Sequence, residues 1–174
     1  MRGLVHIYSG DGKGKTTASI GLCIRCAGSG GNVLFSQFVK NNQSSELNIL
    51  KQIPNTQVIT CDKTFGFISR LSEVERFEAK KVYSDYLEYV LEQVRTKNFR
   101  MLVLDEIIGA YNYEVIDRQT LIDFLKNKPE SLEVIMTGRN PSLELIELAD
   151  YISEVKKVKH PFDHGVSARI GIEK

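Results

Sequence analysis

An apolar run, Leu4 to Tyr8, gives way to Ser9-Gly10-Asp11-Gly12-Lys13-Gly14-Lys15-Thr16-Thr17 and then to a helical run carrying Ala18, Ile20, Leu22 and Ile24, which ends at Gly28 to Gly31. No other stretch of the chain restricts the fold so tightly. A strand that turns through closely spaced glycines straight into a helix gathers backbone N–H groups and the positive helix end around one point, the arrangement that holds phosphate oxygens. Gly10, Gly12 and Gly14 let the backbone fold inward, Lys15 adds a charge, and the Thr16 hydroxyl, followed by Thr17, is suited to hold Mg²⁺. Two departures from the common form of such a loop matter. Ser9 stands where the first glycine usually is, five positions before Gly14, and Lys13 places a second ammonium in the loop. If Lys13 faces inward, two cations meet a triphosphate, which suits a reaction whose leaving group is the whole triphosphate. A solvated loop lysine is the alternative.

The rest of the chain repeats the same alternation. Asn32 to Phe38, Thr56 to Cys61, Met101 to Leu104 and Leu132 to Thr137 read as buried strands. The clearest helix runs from about Ser72 to Lys97, opened by Ser72 and Glu75 at capping-box spacing, with Val82, Leu87, Val90, Leu91 and Val94 on its apolar face. A second helix is expected after Asp117, with Leu121, Ile122 and Leu125 inward. A third is expected after Asn140-Pro141, with Asn140 as cap and Pro141 at the first helical position. Strand, helix, strand repetition predicts a parallel sheet covered on both faces, with ligands at the carboxyl ends of the strands. From Tyr151 onward, Val155, Val158, Val166, Ala168, Ile170 and Ile172 alternate around Asp163-His164-Gly165, which predicts edge strands about a turn.

Met101-Leu102-Val103-Leu104-Asp105-Glu106 is an apolar strand ending in two carboxylates, the pattern that brings an acid to Mg²⁺ beside a phosphate loop. An exposed acid pair is the competing reading, weakened by the loop upstream. Arg25 and Arg139 are candidates for further phosphate contacts, because the guanidinium fork matches phosphate oxygens. Solvation on a helix face competes for Arg25, whereas Arg139 falls at a strand end on the ligand side. Cys23 and Cys26 lie inside the first helix with no second pair elsewhere, so core packing is favoured over metal. His6, His160 and His164 show no zinc spacing.

At 174 residues the chain is expected to be a single domain, 1–174, able to bury a core without staples. A net charge of +1 provides no field for nucleic acid or an anionic membrane, so any polyanion site must be local. An odd number of cysteines, the absence of a basic-then-apolar leader and the lack of any run near the ~20 apolar residues of a membrane span predict a reduced, cytoplasmic setting.

Gly10 to Thr17, Gln37-Phe38-x-Lys40, Asp105-Glu106, Thr137-Gly138-Arg139, Leu148-Ala149-Asp150 and Val158-Lys159-His160-x-Phe162-Asp163-x-Gly165-Val166 together resemble the P-loop ATP:cob(I)alamin adenosyltransferases, also called corrinoid adenosyltransferases. The resemblance covers nearly the whole chain. It implies a three-layer α/β fold of the P-loop NTPase-like (RecA-like) kind, with a mainly parallel central sheet. It also implies that a Co(I) corrinoid, cobalamin or a precursor, attacks the 5′-carbon of ATP and expels triphosphate, with the loop holding ATP in the reverse sense to ordinary NTPases. By the same resemblance Lys13, Lys15 and Thr16 bind triphosphate, Glu106 and Thr16 ligate Mg²⁺, and Asp105 supports that site. Thr64-Phe65-Gly66-Phe67 aligns with an aromatic loop that packs beneath the corrin and displaces its lower nitrogen ligand. The second aromatic of that loop is often Trp, whereas this chain has Phe67 and no Trp. Removing the donor beneath Co(II) lowers the orbital that accepts the next electron. On sequence alone, two aromatics tucked into the core remain the competing account of Phe65 and Phe67, while Gly66 and Lys63 suggest a segment that orders on binding. A homodimer and a flavoprotein reductant belong to the same set of implications.

Two other classes share the loop and the acid pair. A P-loop kinase or ATPase would move the γ-phosphoryl group and yield ADP. A nucleotide-dependent switch would order Asn41 to Ser45 and Lys63 to Arg70 for a partner protein and show binding without turnover.

Overall fold

The computed structural model of the chain describes residues 2–40 and 44–173, so Asn41 to Gln43 of the expected ordering loop lie outside the described residues. Six strands, β1 (Val5–Ser9), β2 (Val33–Gln37), β3 (Thr56–Thr60), β4 (Met101–Asp105), β5 (Glu133–Thr137) and β6 (Tyr151–Glu154), form one sheet in the order β3-β2-β4-β5-β1-β6. Every pairing is parallel. The helices are α1 (Lys15–Gly28), α2 (Glu46–Leu50), α3 (Glu73–Thr96), α4 (Ile107–Asn112), α5 (Arg118–Asn127) and α6 (Leu143–Leu148), with short 3₁₀ turns at Ile68–Arg70 and Pro161–His164.

Alternation along the strands divides the core in two. Val33, Phe35, Met101, Val103 and Ile135 face one side of the sheet and pack with Cys23, Cys26 and Ala27 of α1 and Leu47 and Leu50 of α2. Their neighbours Leu34, Leu102, Leu104, Val134 and Met136 face the other side and meet α3, α4 and α5 through Leu87, Leu91, Ile107, Ile108, Leu121 and Ile122. Because both faces of the central strands β2, β4 and β5 are covered, these strands read as near-continuous apolar runs. Each fully buried side chain of this size contributes roughly 1.5–3 kcal/mol relative to exposure.

The helix ends follow local chemistry. Ser72 and Glu75 form the capping box of α3: Ser72 N–H donates to Glu75 Oε2 at 2.8 Å and Glu75 N–H to Ser72 Oγ at 3.4 Å. Asp117 caps α5 by accepting from Thr120 N–H at 3.1 Å. The helix expected after Asn140-Pro141 begins later. Ser142 caps it and Asn140 adopts φ 51° in the preceding turn, so Asn140 does not cap and Pro141 is not the first helical residue. Both Ser and Asn are good caps, and the path of the chain leaving β5 chooses between them.

The expected C-terminal edge strands are also corrected. The edge strand is Tyr151–Glu154, pairing parallel to β1, and it precedes most of the predicted alternation. Beyond it the described residues add no further strand: the chain first bonds to the glycine-rich loop and then makes short turns of its own, Pro161–His164 among them. Gly12 N–H donates to Val155 O at 2.8 Å, and Lys157 N–H donates to Asp11 Oδ1 at 3.0 Å.

Candidate functional site

The loop between β1 and α1 opens at the carboxyl end of the sheet. Gly14, the N-cap of α1, has φ 123° and no side chain to accept from the first-turn N–H groups, and a Cβ there would meet nothing within 4 Å. Glycine is needed at that position for its backbone angle, and the space above it belongs to a cleft of about 580 Å³. Gly12 is needed for a different reason: a Cβ there would come within 2.7 Å of Val155 O. The tail runs across the loop at this point, and further along it Phe162, Val166, Ala168 and Ile172 line the same cleft as Lys13, Lys15, Thr16 and Arg139.

Lys15 is only 7% exposed and donates from Nζ to Gly12 O at 2.9 Å. Burial holds its ammonium below the usual lysine range, and the nearby Glu106 carboxylate opposes that shift. Asp105, at the end of β4, is fully buried and satisfied on both oxygens. Oδ1 accepts from Thr16 Oγ1 at 3.0 Å and from Thr137 Oγ1 at 2.7 Å; Oδ2 accepts from Lys40 Nζ at 2.7 Å and from Gln37 Nε2 at 3.3 Å. The sheet order explains this convergence. β5 lies between β1 and β4, so Thr137 at its end links the acid pair, and its hydroxyl also accepts from Glu106 N–H at 2.8 Å. Glu106 itself sits in the left-handed region at φ 59°, a conformation uncommon for a residue with a Cβ. Burial, then the neighbouring Asp105 charge, pushes the Glu106 carboxyl above the usual carboxylate range, against the pull of Lys40, Lys15 and Arg139.

The structure gathers Asp11, Gly12, Lys13, Gly14, Lys15, Thr16, Thr17, Glu106 and Arg139 around the cleft, with Asp105 directly behind Thr16. Gly10 lies one step back, its backbone turned at φ 114° against Val155. Arg25 is not brought there. It is exposed in the last turn of α1, ten residues and therefore about 15 Å along the axis from Lys15. Phe65 and Phe67 lie outside the cleft lining as well. Phe65 packs its edge against Tyr83, with ring centroids 5.7 Å apart, whereas Phe67 is 75% exposed with the Arg70 guanidinium 5.1 Å from its ring centroid. Cys23 and Cys26 are buried and in no disulfide, and burial pushes the Cys23 thiol up to about 12, in keeping with core packing. His6 stacks on Tyr151 and meets Glu133 at 2.9 Å, while His160 caps the turn at Pro161–His164. The residues whose contacts sequence reasoning did not supply are Lys40, Gln37 and Thr137. Polar side chains at the ends of otherwise apolar strands were the available signal.

A glycine-rich loop between β1 and α1, an acid pair at the end of β4 and a parallel sheet with β5 inserted between these strands define the fold class of the P-loop nucleotide-binding proteins. Solved structures agree on the fold. The cytoplasmic domain of EssC superposes with a TM-score of 0.55 at 16% identity, over 96% of this chain and 34% of that one. A KaiC-like protein from Pyrococcus horikoshii does so with a TM-score of 0.53 at 11% identity, over 91% of this chain and 74% of that one. Within that class, residues 1–173 match the model of the ATP:corrinoid adenosyltransferase family BtuR/CobO/CobP, and the chain belongs to that family of enzymes. Its relatives include the corrinoid adenosyltransferase of Escherichia coli K12, 32% identical over 174 residues, covering 99% of this chain and 86% of that one. The corrinoid adenosyltransferase from a Sinorhizobium species is 34% identical over 177 residues, covering 99% and 80%.

Proposed function

We propose that the chain transfers the 5′-deoxyadenosyl group of ATP to the Co(I) centre of a reduced corrinoid, cobalamin or a precursor. The observation that carries this reading is the family match over residues 1–173. The cobalt supplies the electron pair, the Co–C5′ bond forms as the C5′–O bond breaks, and triphosphate leaves with that bond's electrons. No proton need be removed, so no general base is required, and the protein's work is position and charge. First-turn N–H groups of α1, with Lys13, Lys15 and Arg139, hold the triphosphate and meet the charge that builds on the oxygen leaving C5′. The apolar wall of Phe162, Val166 and Ile172 limits water around the nucleotide. In the same reading Phe65 and Phe67, on the segment from Lys63 to Arg70, pack beneath the corrin and keep a ligand from its lower face.

The polar groups beside the loop suit Mg²⁺. Among the described residues no three His, Cys, Asp or Glu side chains form a ready metal cluster, so a cation there would take oxygens of the phosphates and water, as Mg²⁺ does. Thr16 Oγ1 and the Glu106 carboxylate would hold it, with Asp105 orienting Thr16, and the buried Gln37 Oε1 close by has no hydrogen-bond partner among the described residues. Bound there, Mg²⁺ would neutralise charge on the triphosphate. No helix among the described residues is long and apolar enough to cross a membrane. A homodimer, a cytoplasmic setting and an external flavoprotein reductant complete the proposal.

The test is anaerobic incubation with MgATP and chemically reduced cobalamin, following the corrinoid spectrum and identifying the phosphate product. Light-sensitive adenosylcobalamin together with triphosphate is expected. ADP without a cobalt–carbon bond would assign a kinase or ATPase instead, and tight nucleotide binding with no turnover a switch.

A further inference from the structure

Lys40 lies three residues beyond the end of β2, and its ammonium bridges two oxygens: Asp105 Oδ2 at 2.7 Å and Thr16 Oγ1 at 3.2 Å. It also stands 4.0 Å from Glu46 Oε1. The Thr16 hydroxyl has one proton, which it gives to Asp105 Oδ1, and the ammonium takes a lone pair on the same oxygen. A divalent cation on Thr16 Oγ1 would have only the other lone pair of the same oxygen, directly beside the ammonium. Two cations sharing one oxygen repel strongly in a partly buried site, so the metal ion displaces the ammonium.

The charges around this point are matched without any ligand. Asp105, Glu106 and Glu46 stand against Lys15, Lys40 and Arg139, three anions against three cations. A divalent ion arriving alone would have to expel Lys40 from a fully buried carboxylate and leave the ammonium with only its longer, 4.0 Å contact to Glu46. The same ion arriving with a triphosphate brings more negative charge than positive, which gives the ammonium a new partner. Gln37 Nε2 already donates to Asp105 Oδ2 at 3.3 Å and remains to satisfy it when Lys40 moves. We infer that Lys40 is an internal counter-ion holding the divalent-cation position of the nucleotide-free protein, so that metal is admitted only together with the phosphates. This rests on the assignment of Thr16 to the metal side of the site made above. The coupling is reciprocal: nucleotide raises affinity for the metal by the factor by which the metal raises affinity for nucleotide.

The test uses Mn²⁺ as the probe, with nucleotide-free protein and no corrinoid, reading free Mn²⁺ by electron paramagnetic resonance. Lys40→Met, checked for native folding by circular dichroism, is expected to bind Mn²⁺ at least about tenfold more tightly than the parent. The gain should vanish in Lys40→Met with Thr16→Ala. Lys40→Arg, which keeps the charge, should stay as weak as the parent. If the Met variant does not fold, Lys40→Gln is read in the same way. Equal Mn²⁺ affinity in parent and Lys40→Met or Lys40→Gln, a gain that survives Thr16→Ala, or an Arg variant that gains as much as Met would each overturn the inference. These readouts need no adenosyl transfer, so failure of the catalytic assay and failure of the Mn²⁺ titration refute different statements.

Discussion

At Glu106 the backbone turns at φ 59° while the side chain brings a charge into a half-buried cleft. The left-handed conformation costs on the order of 1 kcal/mol for a residue with a Cβ. The charge adds to that cost, and its sign follows from linkage. Burial and Asp105 raise the folded-state pKa above the ordinary value of 4.5, so the folded protein holds this proton more tightly than the unfolded chain. Stability from this group is therefore fully present below the unfolded pKa and is lost as pH rises through the raised, folded one. Glu106→Gln is thus expected to raise the thermal midpoint of the nucleotide-free protein at pH 7–8 and to lose adenosyl transfer. Its advantage should shrink as pH falls below the raised pKa, which thermal unfolding across a pH series measures. Lys15 is the complementary case. Its ammonium is 7% exposed and satisfied by Gly12 O, which a phosphate would replace. Lys15→Ala is expected to weaken ATP binding at least about tenfold, more than about 1.4 kcal/mol, by isothermal titration, and to abolish most transfer. Loss of transfer with unchanged ATP affinity would remove Lys15 from phosphate binding.

Among the elements, α3 was legible almost to its ends, because its capping box and apolar face are written within one continuous stretch, Ser72 to Thr96. Ser72→Ala is expected to lower stability by about 1 kcal/mol in urea unfolding while leaving ATP affinity unchanged, since a cap acts locally. α2 and α4 were not legible. At five and six residues they are too short for a helical period to declare itself, and packing holds them in place. Competition between two equally good local signals misplaced the start of α6. Gly138, just past β5, has φ 151°, where a Cβ would come within 2.6 Å of Ile108 Cβ on α4, and the chain turns again at Asn140 before Ser142 caps α6. The segment carrying Phe65 is poised between the two readings open to the sequence: Phe65 packs on Tyr83 and Phe67 faces solvent. Phe65→Ala is expected to impair reduction of bound Co(II) more than ATP binding. Equal loss of both would exclude a role beneath the corrin.

For the molecule as a whole, the tail after Glu154 decides whether the cleft has two walls. It hydrogen-bonds the glycine-rich loop through Val155 O and Lys157 N–H, and Val166 and Ile172 line the same cleft as Lys13. Deleting residues 155–173 is expected to leave the sheet's far-ultraviolet circular dichroism intact while weakening ATP binding by at least about tenfold, because one side of the site is removed. Unchanged ATP affinity in that truncation would show that the opposite wall suffices. The sequence by itself determined the parallel sheet, the loop at its first turn and the acid pair, since each is a contiguous pattern whose physics acts within a few residues: apolar runs, glycine spacing, a strand ending in carboxylates. Only the tertiary structure decided that Arg25 stands on the outer face of α1, that the tail crosses the loop instead of adding edge strands, and that Lys40, Gln37 and Thr137 converge on Asp105. Those outcomes depend on strand order, which brings residues far apart in the sequence, such as Thr16 and Asp105 at 89 positions, within hydrogen-bond distance. No local propensity encodes which strands become neighbours; the packing of the connecting helices across the sheet and the handedness of the crossovers decide it.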